Sequence, residues 1–131
     1  MQISKNIYSH ELKCKCGKCS VTIQDHEPVI AAWQGACDFF AKLHGVDKVS
    51  LDVRSGGRCY EYNRTDDVGS NDESQHPRCS AIDGDIYLPG GRRIPPFEVY
   101  SYFDSEYPNI GGLGLYSWGV HFDTRAIRKR W

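Results

Sequence analysis

Three residues in the second half of the chain could bind a metal ion together. His76 ends a polar loop, Asp83 follows it in an apolar stretch, and His121 lies in an alternating segment further on. Imidazole nitrogen and carboxylate oxygen both bind zinc, and a catalytic zinc site uses three protein ligands and leaves a fourth position for water. Adjacent strands of one sheet would bring the three side chains together. On the residues alone this is one candidate site among several, because the chain has five histidines, six cysteines and 17 acidic residues.

The hydrophobic pattern predicts two helices. The first runs from Pro28 to about His44, since a proline suits the first turn of a helix and Gly45 suits its end. Its predicted buried face holds apolar residues at steps of three and four, namely Val29, Trp33, Ala36, Phe40 and Leu43. The second helix opens at the Pro95–Pro96 pair and continues to about Tyr107.

Alternation of apolar and polar residues predicts short strands at 49–53 and 81–88, followed by two more at 114–118 and 119–125. Gly111, Gly112 and Gly114 are predicted to form a flexible link before the last pair. Residues 59–66 suit a helical turn and 69–75 a loop. This order of elements predicts an α+β domain with a mostly antiparallel sheet flanked by helices.

Length and charge limit the function classes. The 131 residues suit one domain, with polar residues 1–27 wrapped around a core formed by 28–131. The 16 basic residues nearly balance the 17 acidic ones, so we expect no nucleic-acid partner. The opening residues lack a signal peptide and no stretch has the length of a membrane span, so we expect cytosolic synthesis and no membrane insertion.

The six cysteines are Cys14, Cys16, Cys19, Cys37, Cys59 and Cys79. Without a signal peptide, free thiols are the expected state. Three alternatives stay open: the CKCGKC segment at 14–19 could bind a structural metal, Cys59 could pair with Cys79, and Cys79 could join the metal site.

A stretch around His76 resembles a motif of D-Ala-D-Ala peptidases and hedgehog-type zinc domains. That motif reads S-x-H-x-x-G-x-A-x-D, and Ser74, His76, Ala81 and Asp83 match it, while Cys79 replaces the glycine. Upstream, SGGRC at 55–59 with NR at 63–64 resembles a segment of small phage and bacterial members. Downstream, GLGLY at 112–116, VHFDTR at 120–125 and RW at 130–131 resemble their closing segment.

The CKCGKC segment at 14–19 also resembles a segment common in phage members, so the resemblance spans nearly the whole chain in the right order. It implies a hedgehog/DD-peptidase-like fold with one zinc site. It implies that His76, Asp83 and His121 bind Zn²⁺, which would lower the pKa of a bound water to about 7. It places Arg58 near the substrate's carboxylate or the oxyanion, as a catalytic and substrate-binding residue. Ser74 is expected to brace its loop or to contact substrate.

The activity that the resemblance implies is hydrolysis of peptide bonds next to D-alanine in peptidoglycan stem peptides. It suggests a phage lysin or a virion-associated wall hydrolase of the carboxypeptidase or endopeptidase type. We therefore expect the protein in the host cytoplasm before its release to the cell wall, or on a virion with other phage proteins as partners.

One departure from the family bears on catalysis. Related peptidases carry an acidic residue three positions before the last histidine as general base, and here that residue is Trp118. Asp123 could replace it as the base, could orient a metal-bound histidine, or could be a surface aspartate. Weaker candidates for the base are Glu98, Asp104 and Glu106, and Asp85 could replace Asp83 as ligand if the register slips. The alternative function is a catalytically impaired zinc-binding structural or binding module.

Overall fold

The computed structural model describes residues 2–8, 27–55 and 81–131, and these form an α+β fold. Within these ranges, two helices and seven strands follow one another. In order they are β1 (Gln2–Ser4), β2 (Ile7–Tyr8), α1 (Glu27–Leu43), β3 (Ser50–Ser55), β4 (Ala81–Tyr87), α2 (Pro96–Glu106), β5 (Gly112–Leu115), β6 (Val120–Asp123) and β7 (Lys129–Arg130). The coarse prediction of an α+β domain is therefore confirmed.

Helix α1 ends where the sequence predicted. Gly45 has a φ of 66°, in the left-handed region that glycine adopts without a steric penalty. The amide of Gly45 donates to the carbonyl of Lys42, and the amide of Val46 donates to that of Ala41. These bonds satisfy carbonyls that the last helical turn leaves unpaired.

The main sheet has five strands in the order β3-β4-β6-β5-β7. Three of its four pairings are antiparallel, and β7 pairs with β5 in parallel. In the β4–β6 pairing, Asp83 lies directly opposite His121 and Ile82 lies opposite Phe122. The register therefore places two of the predicted metal ligands side by side.

The two faces of this sheet differ in chemistry, because neighbouring residues of a strand point to opposite sides. One face, here called the apolar face, carries Leu51, Ile82, Ile86, Leu113, Val120 and Phe122, all buried. Both helices pack on it through Trp33 of α1 and Phe103 of α2, whose rings meet edge to face at 4.8 Å. Phe103 also stacks on Phe122, with ring centroids 4.5 Å apart. The other face, here called the polar face, carries Asp83, Asp85, His121 and Asp123.

Two sequence predictions about the glycine-rich region are wrong. Gly112 and Gly114 are not a flexible link but lie inside strand β5. The predicted strand at 114–118 ends at Leu115, and residues 116–119 form a turn in which Tyr116 and Gly119 exchange backbone hydrogen bonds. Only Gly111, with a φ of 83°, has the backbone geometry of a link.

Residues 2–8 contribute more than a surface wrap. Strands β1 and β2 pair with each other, and Ile7 is completely buried in the core. Asn6 donates to the carbonyl of Val49, and its amide oxygen accepts a hydrogen bond from Gln34. The hairpin is thus attached to both α1 and the start of β3.

Candidate metal centre

Asp83 and His121 are in direct contact on the polar face. The distance from His121 Nδ1 to Asp83 Oδ1 is 2.7 Å. The side chain of His121 is 9% exposed and that of Asp83 is 16% exposed. The pair is therefore largely covered but still reaches the protein surface. A pair of zinc ligands at ordinary bond lengths in tetrahedral geometry has its donor atoms about 3.3 Å apart. The two donors need to separate by only about half an ångström to share an ion.

The third predicted ligand, His76, lies outside the described residues, as do Arg58 and Ser74. Within 2–8, 27–55 and 81–131, no set of three or more histidine, cysteine or acidic side chains is arranged to bind a metal. The structure thus brings together two of the three predicted ligands, and the contribution of His76 remains a prediction. The predicted roles of Arg58 and Ser74 also remain predictions. The same holds for Cys14, Cys16, Cys19, Cys59 and Cys79, whose states lie outside the described residues.

The other nitrogen of His121 is held by Asp123. His121 Nε2 lies 2.7 Å from Asp123 Oδ2, and the side chain of Asp123 is completely buried. With Nε2 engaged in this way, Nδ1 is the nitrogen that faces Asp83. An imidazole bound to a metal typically donates its second N–H to a carboxylate, which fixes the tautomer and the ring orientation. The donor set and its orientation therefore fit a zinc ion on the Asp83 side of the ring.

Asp123 is itself fixed by Arg125 and by the backbone. Arg125 Nε donates to Oδ1 at 2.8 Å and its terminal nitrogen donates to Oδ2 at 2.7 Å, which makes a bidentate pair. The amides of Gly112 and Arg125 also donate to Oδ1, at 3.0 and 3.1 Å. Both carboxylate oxygens are thus saturated. These contacts favour an orienting role for Asp123 over a role as general base, and they do not fit a surface aspartate.

Burial and hydrogen bonding have opposite effects on the pKa values of Asp123 and His121. Burial acts to raise the pKa of Asp123, but hydrogen bonds from His121 and Arg125 outweigh it and hold that pKa well below its usual range. Burial acts to lower the pKa of His121, but hydrogen bonds to Asp123 and Asp83 outweigh it and raise that pKa above its ordinary value. The two neighbouring carboxylates therefore favour the protonated form of His121. Because zinc ligands must be deprotonated, a metal bound on the Asp83 side would take the place of a proton on His121 Nδ1.

Bare backbone on strand β5 makes room for these groups. A Cβ atom on Gly112 would lie 2.6 Å from Arg125 Nε and would overlap the Asp123 carboxylate. A Cβ atom on Gly114 would lie 2.5 Å from the indole of Trp131. The two glycines are therefore needed for volume, so that Arg125 and Trp131 can lie across the strand.

Asp85 occupies a separate position from the metal pair. Its side chain is buried, and Oδ2 accepts hydrogen bonds from Tyr87 at 3.0 Å and from Arg54 at 3.4 Å. Its Oδ1 is buried and has no hydrogen-bond partner among the residues that the structure describes. Burial raises the pKa of Asp85, and the bonds from Tyr87 and Arg54 oppose that shift without cancelling it. Because Asp83 is the residue opposite His121, the register favours Asp83 over Asp85 as the ligand.

Trp118 lies in the turn between β5 and β6. Its ring stacks on Tyr116 at 4.9 Å, and the guanidinium of Arg54 lies 5.6 Å from its ring centroid. Its carbonyl oxygen accepts a hydrogen bond from Arg93. An indole does not transfer protons near neutral pH, so Trp118 cannot take the place of the acidic residue as general base.

The helical acids offered as other candidates for the base lie elsewhere. Asp104 accepts a hydrogen bond from Arg130 at 2.8 Å and pairs with Arg128. Glu98 and Glu106 line a groove between α1 and α2, on the apolar side of the sheet. The structure does not bring these three carboxylates to His121.

Sequence reasoning missed the partners contributed by residues 125–131. Arg125 fixes Asp123, and the indole of Trp131 lies 5.1 Å from the His121 ring. Arg130 donates to the carbonyls of Tyr107 and Gly111. The alternation of His121, Asp123 and Arg125 in the predicted strand 119–125 was the available signal for Arg125. The position of Trp131 depends on the parallel β5–β7 pairing, which has no local pattern in the sequence.

Comparisons of the chain with protein-family models, with curated proteins and with solved structures found no match. No helix in the described ranges is long and apolar enough to cross a membrane.

Proposed function

We propose that the chain is a zinc-dependent peptidase of the hedgehog/DD-peptidase type that hydrolyses peptide bonds next to D-alanine in bacterial cell-wall peptides. The contact between Asp83 and His121 carries the proposal. The family resemblance implies both residues as zinc ligands, through its central motif for Asp83 and its closing segment for His121. The two are 38 positions apart in the chain, yet they lie opposite each other in the sheet with donor atoms 2.7 Å apart. Its proposed setting is a phage lysin or a virion-associated wall hydrolase.

The residues have distinct tasks in this proposal. His76, Asp83 and His121 would hold the ion, and Asp123 with Arg125 would keep the His121 ring oriented. Zinc bound there would supply a hydroxide near neutral pH and polarise the scissile carbonyl. Arg58 would bind the substrate's carboxylate or the oxyanion through its fork of donors, and Ser74 would brace its loop or contact the substrate.

A second candidate function is a zinc-binding module without catalytic activity, for example a component of a phage particle. Two observations favour it. Trp118 replaces the acidic residue of related peptidases, and both oxygens of Asp123 are saturated by hydrogen bonds from Arg125, His121 and backbone amides. These hydrogen bonds leave Asp123 poorly placed to accept a proton as general base.

Metal content and turnover separate these proposals. Purified protein is expected to contain about one zinc per chain by mass spectrometry and to release D-alanine or shorter muropeptides from peptidoglycan fragments. Asp83→Asn and His121→Ala should lose zinc and turnover together, and thermal unfolding would verify that each variant is folded. Arg128→Ala, on the surface, is the matched control and should keep both properties.

Each result has a definite meaning. Zinc with turnover that disappears in Asp83→Asn supports the peptidase. Stoichiometric zinc without turnover on any wall peptide supports the non-catalytic module. A folded wild-type protein that does not bind zinc would overturn both.

A further inference from the structure

The indole of Trp131 lies against the imidazole of His121. The ring centroids are 5.1 Å apart and the planes are inclined by 44°. Trp131 is 41% exposed, so its indole has one side toward the histidine and another toward solvent. The ring therefore forms an outer wall of the candidate metal centre.

The Trp131 backbone is anchored on both sides to strand β5. Its amide donates to the carbonyl of Leu113 at 3.0 Å, and its carbonyl accepts a hydrogen bond from the amide of Leu115 at 3.0 Å. These two bonds continue the parallel β5–β7 pairing by one residue. The starting point of the side chain is thus fixed by the sheet.

The indole itself is restrained at its edge and over its face. Its Nε1 donates to the hydroxyl of Tyr116 at 2.6 Å. The guanidinium of Arg125 and the ammonium of Lys129 each lie about 5.5 Å from a ring centroid, within the range of cation–π attraction. Gly114 provides the space for the indole, because any side chain on this residue would occupy the same volume.

We propose that Trp131 is a positioning residue that covers the His121–Asp123 hydrogen bond and fixes the His121 ring with Nδ1 toward the metal. The proposal rests on the proposed zinc function. A hydrogen bond is stronger where water is excluded, because the local dielectric is lower. A histidine ring can also turn about its χ2 torsion, and a neighbouring indole blocks that rotation. Groups that orient a metal ligand commonly change metal affinity 10- to 100-fold when removed.

The test measures metal binding by folded variants. We expect Trp131→Ala to raise the zinc Kd about 10-fold or more in competition with a chromophoric chelator. The visible absorption spectrum of the Co²⁺-loaded protein should change as well, because it reports ligand geometry, which loss of packing elsewhere would leave unaltered. Trp131→Phe keeps an aromatic ring at this position and should restore both properties.

Three further variants strengthen the test. Gly114→Ala leaves Trp131 in the chain but displaces its indole, so it should weaken zinc binding in the same direction. Ile127→Ala is the matched control, because Ile127 belongs to the same segment and is 82% exposed; its zinc Kd should equal that of the wild type. If Trp131→Ala does not fold, Trp131→Leu, which keeps apolar volume without a ring, carries the same expectation.

The outcomes distinguish this proposal from the one it rests on. Wild-type zinc affinity and an unchanged Co²⁺ spectrum in folded Trp131→Ala or Trp131→Leu would overturn the role of the indole and leave the zinc site intact. Failure of the wild-type protein to bind zinc would overturn the proposed function itself.

Discussion

The two faces of the central sheet are stabilised in different ways. On the apolar face, Phe122 is buried between Phe103 and Tyr107 and has no polar group to satisfy. One residue further along β6, Asp123 is equally buried, but its negative charge is balanced and its oxygens are hydrogen-bonded by Arg125 and His121. Burial alone therefore does not define what a position tolerates. The apolar face should respond to lost volume, and the polar face to a lost partner.

The largest effect is expected from Phe122→Ala. The substitution removes a ring stacked 4.5 Å from Phe103 and leaves a cavity, which should lower the free energy of unfolding by about 3–5 kcal/mol. Denaturant unfolding measures this loss. Phe122→Leu, which keeps much of the volume, should cost clearly less. An equal loss in both variants would contradict a response governed by volume.

Asp123→Asn tests the polar face without changing its volume. The asparagine amide keeps one acceptor oxygen and has an NH₂ group in place of the other. In either orientation this NH₂ group would face N–H donors from Arg125 and from His121 or a backbone amide. We expect a loss of about 3 kcal/mol in the metal-free protein, because a buried charge loses its partner. Denaturant unfolding in the presence of EDTA measures it.

The control for this variant is a charge pair with the same chemistry on the surface. Asp104→Asn disturbs the pairs with Arg128 and Arg130, but Asp104 is substantially exposed. It should cost much less than Asp123→Asn. Similar losses of unfolding free energy in the two variants would show that burial of Asp123 does not increase the cost of removing its charge.

A pH series tests the apolar side of the sheet in another way. Burial raises the pKa of Cys37 in α1 from 9.0 to about 12, so the folded state holds the thiol proton more tightly than the unfolded state. Its contribution to stability is complete below about pH 9 and is lost as the pH rises toward 12. Between these values the loss approaches about 1.4 kcal/mol per pH unit.

The measurement compares wild type with Cys37→Ala from pH 8 to 10.5. Titrating groups that do not interact with Cys37 cancel in the difference. Tyr102, whose pKa burial raises to about 12, also interacts with the Cys37 thiolate, but this is the smallest of the effects on its pKa. The stability advantage of the wild type over the variant should shrink above pH 9. A difference that stays constant over this range would show that the Cys37 thiol is accessible to water.

The smallest effect is expected from Arg128→Ala. Arg128 pairs with Asp104 at 3.6 Å and both side chains are about half exposed. Screened pairs of this kind contribute roughly 0–1 kcal/mol, and the unfolding midpoint should hardly move. Arg125→Ala, in contrast, removes the partner of a buried carboxylate and should cost several times more.

The sequence predicted both helices well, because their apolar spacing and their proline and glycine boundaries are local signals. It also predicted the neighbouring positions of Asp83 and His121, through the family resemblance and the expectation that their two strands are adjacent in one sheet. It did not predict strand β7, which is two residues long and pairs in parallel with β5 across the chain. Gly112 and Gly114 were misread as a link because glycine is usual in loops, whereas here it makes room for side chains on a neighbouring segment.

That crowding over β5 has a consequence for how a substitution library of this protein would look. Gly112 and Gly114 should tolerate almost no replacement, although neither has a side chain that could touch a ligand or take part in a reaction. Read without coordinates, such a profile would be attributed to catalysis. The intolerance would instead come from the space that Arg125 and Trp131 already occupy.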